Sequence, residues 1–166
     1  MNAPSQHERV LVADLNDPAH GAAVLTLLNA YAQDIMGGGE DLSAFAKANL
    51  VPALRARADA LAILAFVGDE PAGLAVCIEG FSTFACKPLL NIHDMVVAPP
   101  FRGRGLSYRI LAKAEDVARA RGCCKLTLEV LEGNTVARKA YASFGFAGYA
   151  LDPAMGTALF LQKTWE

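Results

Sequence analysis

Val96-Val97-Ala98-Pro99-Pro100-Phe101-Arg102-Gly103-Arg104-Gly105-Leu106-Ser107 is the stretch on which the reading of this chain turns. The prolines close an apolar strand, because proline brings no N–H to a ladder. After Gly105, the residues Leu106, Ile110, Leu111, Ala114, Val117 and Ala118 recur at helical spacing, while Lys113, Asp116 and Arg119 fall between them. That pattern predicts an amphipathic helix closing near Gly122. A strand, a glycine-rich loop and a helix therefore meet here. Glycines let the backbone approach a ligand, and the free N–H groups of a helix's first turn converge on one locus, a seat for phosphate oxygens. Arg102 and Arg104 bring positive charge to it. Two familiar phosphate loops are excluded. A dinucleotide fingerprint needs a third Gly or Ala where Tyr108 stands, and a Walker-type loop needs a Gly-Lys-Ser/Thr that is absent.

Working outward, Leu89 to Val97 reads as the strand that enters the loop. Leu126, Leu128 and Val130, alternating with Thr127 and Glu129, read as the strand that follows the helix. A strand, a crossover helix and a strand predict a parallel pair. Upstream, Glu8 to Asp14 reads as a strand, and Asp17-Pro18 marks the start of a helix running to about Asp34. Gly37-Gly38-Gly39 ends that helix, and a second spans Asp41 to about Arg57. Leu61 to Val67 and Ala72 to Glu79, joined by Gly68-Asp69-Glu70-Pro71, predict an antiparallel hairpin. Downstream, Asn134 caps a helix that Gly145 stops, and Phe146 to Leu151 and Thr157 to Lys163 read as closing strands. The expected fold is α/β of the α+β kind. Its sheet is mixed and mostly antiparallel, with one splayed parallel pair and about four flanking helices.

Composition agrees with a single domain over 1–166. The 166 residues are 54% hydrophobic and 19% charged, enough apolar material for a core. The longest apolar run, Ala60 to Val67, has 8 residues, far short of the roughly 20 that span a bilayer. Nothing near residue 1 resembles a secretory signal, so a cytoplasmic protein without membrane partners is expected. Fifteen basic and 17 acidic side chains give a net charge of −2, which lacks the footprint of a nucleic-acid binder. Cys77, Cys86, Cys123 and Cys124 form no CxxC pair and no zinc-ligand spacing, so buried free thiols and no metal are expected.

The run Arg102-x-x-Gly105-x-Ser107, preceded by a strand and Pro99, resembles the acetyl-CoA pyrophosphate motif Gln/Arg-x-x-Gly-x-Gly/Ala of the GNAT family of N-acetyltransferases. A second block, Asn134-x-x-Ala137-Arg138-x-x-Tyr141-x-x-x-Gly145-Phe146, is similar to that family's following segment. The resemblance covers about Asn91 to Tyr149. One departure is Ser107, which stands where the family mostly has Gly or Ala. The resemblance implies acetyl transfer from acetyl-CoA to an amine by direct attack in a ternary complex. It implies that backbone groups near Met95 and Val97 bind the pantetheine arm, that Arg102, Gly103, Arg104, Gly105, Leu106 and Ser107 bind pyrophosphate, and that Asn134 contacts the pantetheine region. Tyr141 matches the tyrosine that protonates the departing thiolate in many members. His93 lies where some members carry a catalytic glutamate, and an imidazole suits the removal of a proton from the amine. Strand parity puts Asn91, His93, Met95 and Val97 on one face and Ile92, Asp94 and Val96 on the other, so Asp94 is the alternative base.

The acceptor is expected to be the amine of a small molecule. Tyr31, Asp34 and Glu79 are candidates to bind a cationic one, beside a segment from Gly80 to Phe84 whose two phenylalanines are read as core. A protein amine, or a sensor that binds acyl-CoA without turnover, are the alternatives. The family allows a homodimer in which a partner chain closes the acceptor site, although no signal in this sequence establishes one.

Overall fold

The structure, a computed structural model, describes residues 7–149 and 152–165. Five strands form one sheet in chain order: β1 Glu8–Val12, β2 Ala60–Val67, β3 Glu70–Ser82, β4 Lys87–Val97 and β5 Leu126–Leu128. The first four pair antiparallel and β4 pairs with β5 in parallel, as expected. Four α-helices flank it: α1 Pro18–Gln33, α2 Ala44–Arg55, α3 Leu106–Ala120 and α4 Thr135–Phe144.

Both faces of the sheet are covered, and β2 shows why. Leu61, Ile63, Ala65 and Val67 pack with Leu106, Ile110 and Leu111 of α3, while Ala62, Leu64 and Phe66 pack with Val24 and Leu27 of α1 and Leu54 of α2. The period of two thus feeds two cores from one strand. The Asp17 side chain accepts from the Ala19 N–H and Pro18 follows, which starts α1 where the sequence predicts. α2 begins at Ala44 rather than Asp41, because Ser43 is its cap and the Asp41 carboxylate is taken by Lys47, Gln33 and Asn29.

Within β4, strand parity fails at one place. Val76 of β3 faces Asp94, but Cys77 faces Ile92, so His93 is the extra residue of a β-bulge. Leu90 and Ile92 lie in the α3 core, as Met95 and Val97 do, whereas Val96 lies in the α1 core. The expected grouping of Asn91 and His93 with Met95 and Val97 is therefore wrong. The slip reverses the faces across His93 and turns Asp94 toward α1.

Other expectations are also revised. Phe81 and Phe84 are exposed, because β3 and β4 extend as a hairpin past the core. Cys86 and Cys124 are exposed too, and only Cys77 is fully buried. Residues 146–149 and 157–163 form no strand; residues 150 and 151 fall outside the described part. Leu159, Phe160 and Leu161 are consecutive, so a strand there would be apolar on both faces with no layer to bury either. Among the described residues, no helix is long and apolar enough to cross a membrane.

Burial pushes the Cys77 thiol, directly across from the bulge, up to about 12. With a thiol-reactive disulfide reagent, Cys86 and Cys124 should be modified quickly and Cys77 only after denaturation. Reaction of Cys77 at the rate of the exposed thiols would mean that the sheet opens at the bulge.

Candidate functional site

The site is assembled where β4 and β5 part. Their pairing runs Leu90–Leu126, Asn91–Thr127 and Ile92–Leu128, then stops. From His93 to Val97, β4 has β3 on one side and no paired strand on the other. Met95 and Val97 lie in this segment, with unpaired main-chain groups along the gap. At the base of the gap the Asn91 amide donates to the Thr127 hydroxyl at 3.0 Å and to the Glu129 carboxylate at 3.3 Å, tying the strands together just before they separate.

The chain then crosses the Pro99–Phe101 turn and enters the glycine loop. Gly103 and Gly105 both take left-handed backbone angles, φ 77° and 76°, and a Cβ on either would meet nothing within 4 Å. The loop needs glycine for its conformation, and the space before it is open. Gly105 is the N-cap of α3, and no side chain caps that end. The first-turn N–H groups of a 15-residue helix thus lack a side-chain acceptor, while Leu106 is buried and Ser107 half-buried beneath them. These donors and the helix dipole fit a diphosphate.

The two arginines do not simply add free charge. The Arg104 guanidinium pairs with Glu8 at 2.9 Å, and the same carboxylate takes Arg109 of α3 at 2.7 Å. Arg102 donates from Nε to the Val97 carbonyl at 3.0 Å and from Nη2 to Asp34 at 3.4 Å. Glu8 was not anticipated as part of the site. Its partners lie about a hundred residues away, and no local pattern announces them.

On the α1 side, Tyr31, Asp34 and Asp94 come together. Burial, then the charges of Asp94 and Asp34, push the Tyr31 hydroxyl up. Burial lifts the Asp94 carboxyl above the usual range and the neighbouring His93 tempers it. The Met36 N–H, and then Arg102, hold the Asp34 carboxyl low. Glu79 does not join them, because it faces α3 and pairs with Arg121 at 3.0 Å. His93 projects from the bulge and is exposed.

Tyr141, on α4, is half-buried against Phe146, and burial followed by the nearby Tyr31 pushes its hydroxyl up. It lines a groove of about 920 Å³ formed by β5, α4 and the segment that follows α4. Asn134 caps α4, its side-chain oxygen accepting from the Ala137 N–H at 3.1 Å, which leaves both amide N–H groups for a ligand. Among the described residues there is no cluster of three or more metal-ligating side chains.

Comparison with known proteins gives a consistent pattern. A family model described as acetyltransferase (GNAT) family matches residues 11–146. Streptothricin acetyltransferase of Streptomyces lavendulae is 45% identical over 71 residues, covering 42% of this chain and 38% of that protein. Thialysine N-epsilon-acetyltransferase of Caenorhabditis elegans is 34% identical over 71 residues, covering 43% and 44%. The chain thus spans less than half the length of these relatives. An aminoglycoside N-acetyltransferase solved in complex with CoA superposes with a TM-score of 0.74 at 16% identity, covering 98% of this chain and 99% of that one, a likeness of fold.

The loop can be tested against a matched control. Gly105→Val and Gly68→Val each force a β-branched residue into a left-handed conformation with open space around it, at a cost of about 1–3 kcal/mol. Both should lower the thermal midpoint, but only Gly105→Val should abolish coenzyme A binding measured by calorimetry.

Proposed function

The chain belongs to the acetyltransferase (GNAT) family, and from that premise we propose that it transfers an acetyl group from acetyl-CoA to the primary amine of a small molecule, by direct attack in a ternary complex. The observation that carries this reading is the pair of left-handed glycines that brings the uncapped end of α3 to the mouth of a parted strand pair. The streptothricin and thialysine acetyltransferases among its relatives support a small amine, and a ribosomal-protein alanine N-acetyltransferase among them keeps a protein amine as the second reading.

When bound, acetyl-CoA supplies the activated acyl group. Main-chain N–H groups from Arg102 to Ser107 hold its pyrophosphate, with the side chains of Arg102 and Arg104, each paired with a carboxylate in the free protein, beside it. Met95 and Val97 bind the pantetheine arm through their backbone, and the Asn134 amide reaches the same arm. An unpaired main-chain N–H of β4 polarises the thioester carbonyl. Positioning and charge stabilisation therefore supply most of the acceleration.

Two side chains move protons. Tyr141 gives its hydroxyl proton to the departing sulfur. Asp94 takes a proton from the incoming ammonium, because the bulge turns it toward α1 and burial raises its basicity. His93 is the alternative base, since the same bulge leaves it exposed just beyond the last β4–β5 pair.

Tyr141→Phe should lower kcat about a hundredfold, the lower end of what a general acid contributes, with the acetyl-CoA Kd unchanged. Thiol release and calorimetry on the same preparation decide this. Equal loss in both would make Tyr141 a packing residue.

The base is identified by pH. Asp94 accepts a proton only when ionised, so kcat/KM rises with pH through its pKa, and burial moves that rise above the ordinary carboxylate range near 4. Asp94→Asn should remove the acidic limb and His93→Ala should retain it. The opposite pattern would assign the base to His93.

A further inference from the structure

One ion pair joins the phosphate loop to the far side of the site. Arg102 stands at the entrance of the loop, and its guanidinium reaches back to Asp34, the C-cap residue of α1. Asp34 is also the hub of the glycine joint. Its carbonyl accepts from Gly37 and Gly39, and its Oδ1 accepts from the Met36 N–H at 2.9 Å. The other oxygen, Oδ2, holds Arg102. Both side chains are accessible, 54% exposed for Arg102 and 30% for Asp34, so the pair can open without unpacking a core.

We propose that Asp34 acts as a positioning residue that competes with the cofactor for Arg102. In the free protein it holds the guanidinium against the α1 end, and an arriving diphosphate draws Arg102 away while the Val97 carbonyl keeps the side chain near the loop. The inference rests on the reading of this loop as the acetyl-CoA site. A diphosphate is the stronger partner, since it offers two charges and paired oxygens to a planar fork where Asp34 offers one oxygen at 3.4 Å. Cofactor loading thereby uncovers the Asp34 carboxylate beside Tyr31 and Asp94, on the acceptor side. The loss of this contact is charged against cofactor affinity.

A double-mutant cycle tests it, with acetyl-CoA titrated calorimetrically into wild type, Asp34→Asn, Arg102→Gln and the double variant. Asn keeps the oxygen that accepts from Met36, so the cap survives. Asp34→Asn should tighten acetyl-CoA binding about two- to fivefold, the factor an exposed ion pair is worth, whereas a residue that merely supported the loop would weaken it. In the Arg102→Gln background the same change should have no effect. An unchanged or weaker Kd in Asp34→Asn would overturn the proposal, as would a tightening that persists without Arg102, which would be the bulk effect of one less negative charge. A wild-type chain that bound no acetyl-CoA would instead overturn the reading of the loop, and this inference with it.

Discussion

Beyond the Ile92–Leu128 pair, β4 has a hydrogen-bonded neighbour on one side only, and the rest of the site follows from that constraint. Unpaired main-chain groups are costly if buried without partners, so the gap must stay wet or hold something that offers donors and acceptors. The same strand ends in a loop whose two left-handed glycines turn the chain into α3, placing uncapped helix donors at the mouth of the gap. An extended ligand with an amide-rich arm and an anionic end matches both features. The slip at His93 adds a third. By reversing strand parity it lets one strand give Ile92 and Met95 to the α3 core while turning Asp94 to the other face.

Stability and orientation come from different sources here. β2 is apolar on both faces, and Ile63 and Leu64 of β2 and Leu74 of β3 are each fully buried, worth roughly 1.5–3 kcal/mol apiece. The ion pairs at the loop are partly exposed, a setting in which such pairs contribute about 0–1 kcal/mol. Glu8 and Asp34 therefore add little to folding. In the free protein their effect is to choose where guanidinium groups point, Glu8 of β1 taking Arg104 and Asp34 at the end of α1 taking Arg102.

What was legible in the sequence was local. Asp17-Pro18, Gly105, and Asn134 with Gly145 each mark a helix end by the chemistry of its own backbone, and each marks it correctly. The alternation in β2 and the crossover from β4 to β5 were legible because periodicity and handedness need no distant partner. The bulge was not, since the seven residues from Asn91 to Val97 carry no glycine or other sign of a slip, and one slipped residue inverts every face assignment after it. Nor were the Glu8 pairs, which depend on β1 lying beside α3. In the tail, Thr157 to Lys163 was composed like a strand but has no paired neighbour among the described residues.

The raised hydroxyl of Tyr141 bears directly on the acid role proposed for it. An ordinary thiol has a pKa near 8.5 and an ordinary tyrosine near 10, so giving a proton from tyrosine to a thiolate is uphill in water, and lifting the tyrosine makes it more so. Burial, however, acts on whichever group carries the charge, and a sulfur anion formed in a closed cleft loses its hydration as well. Cys77, fully buried in the core, shows the direction of that effect in this fold, where burial pushes a thiol up to about 12. A thiolate that loses part of its hydration on release is correspondingly more basic, and a better acceptor for a proton from Tyr141, than one released into open water. On this reading the acid role proposed for Tyr141 depends on how far the packing of Tyr141 against Phe146 excludes water, as well as on the hydroxyl itself.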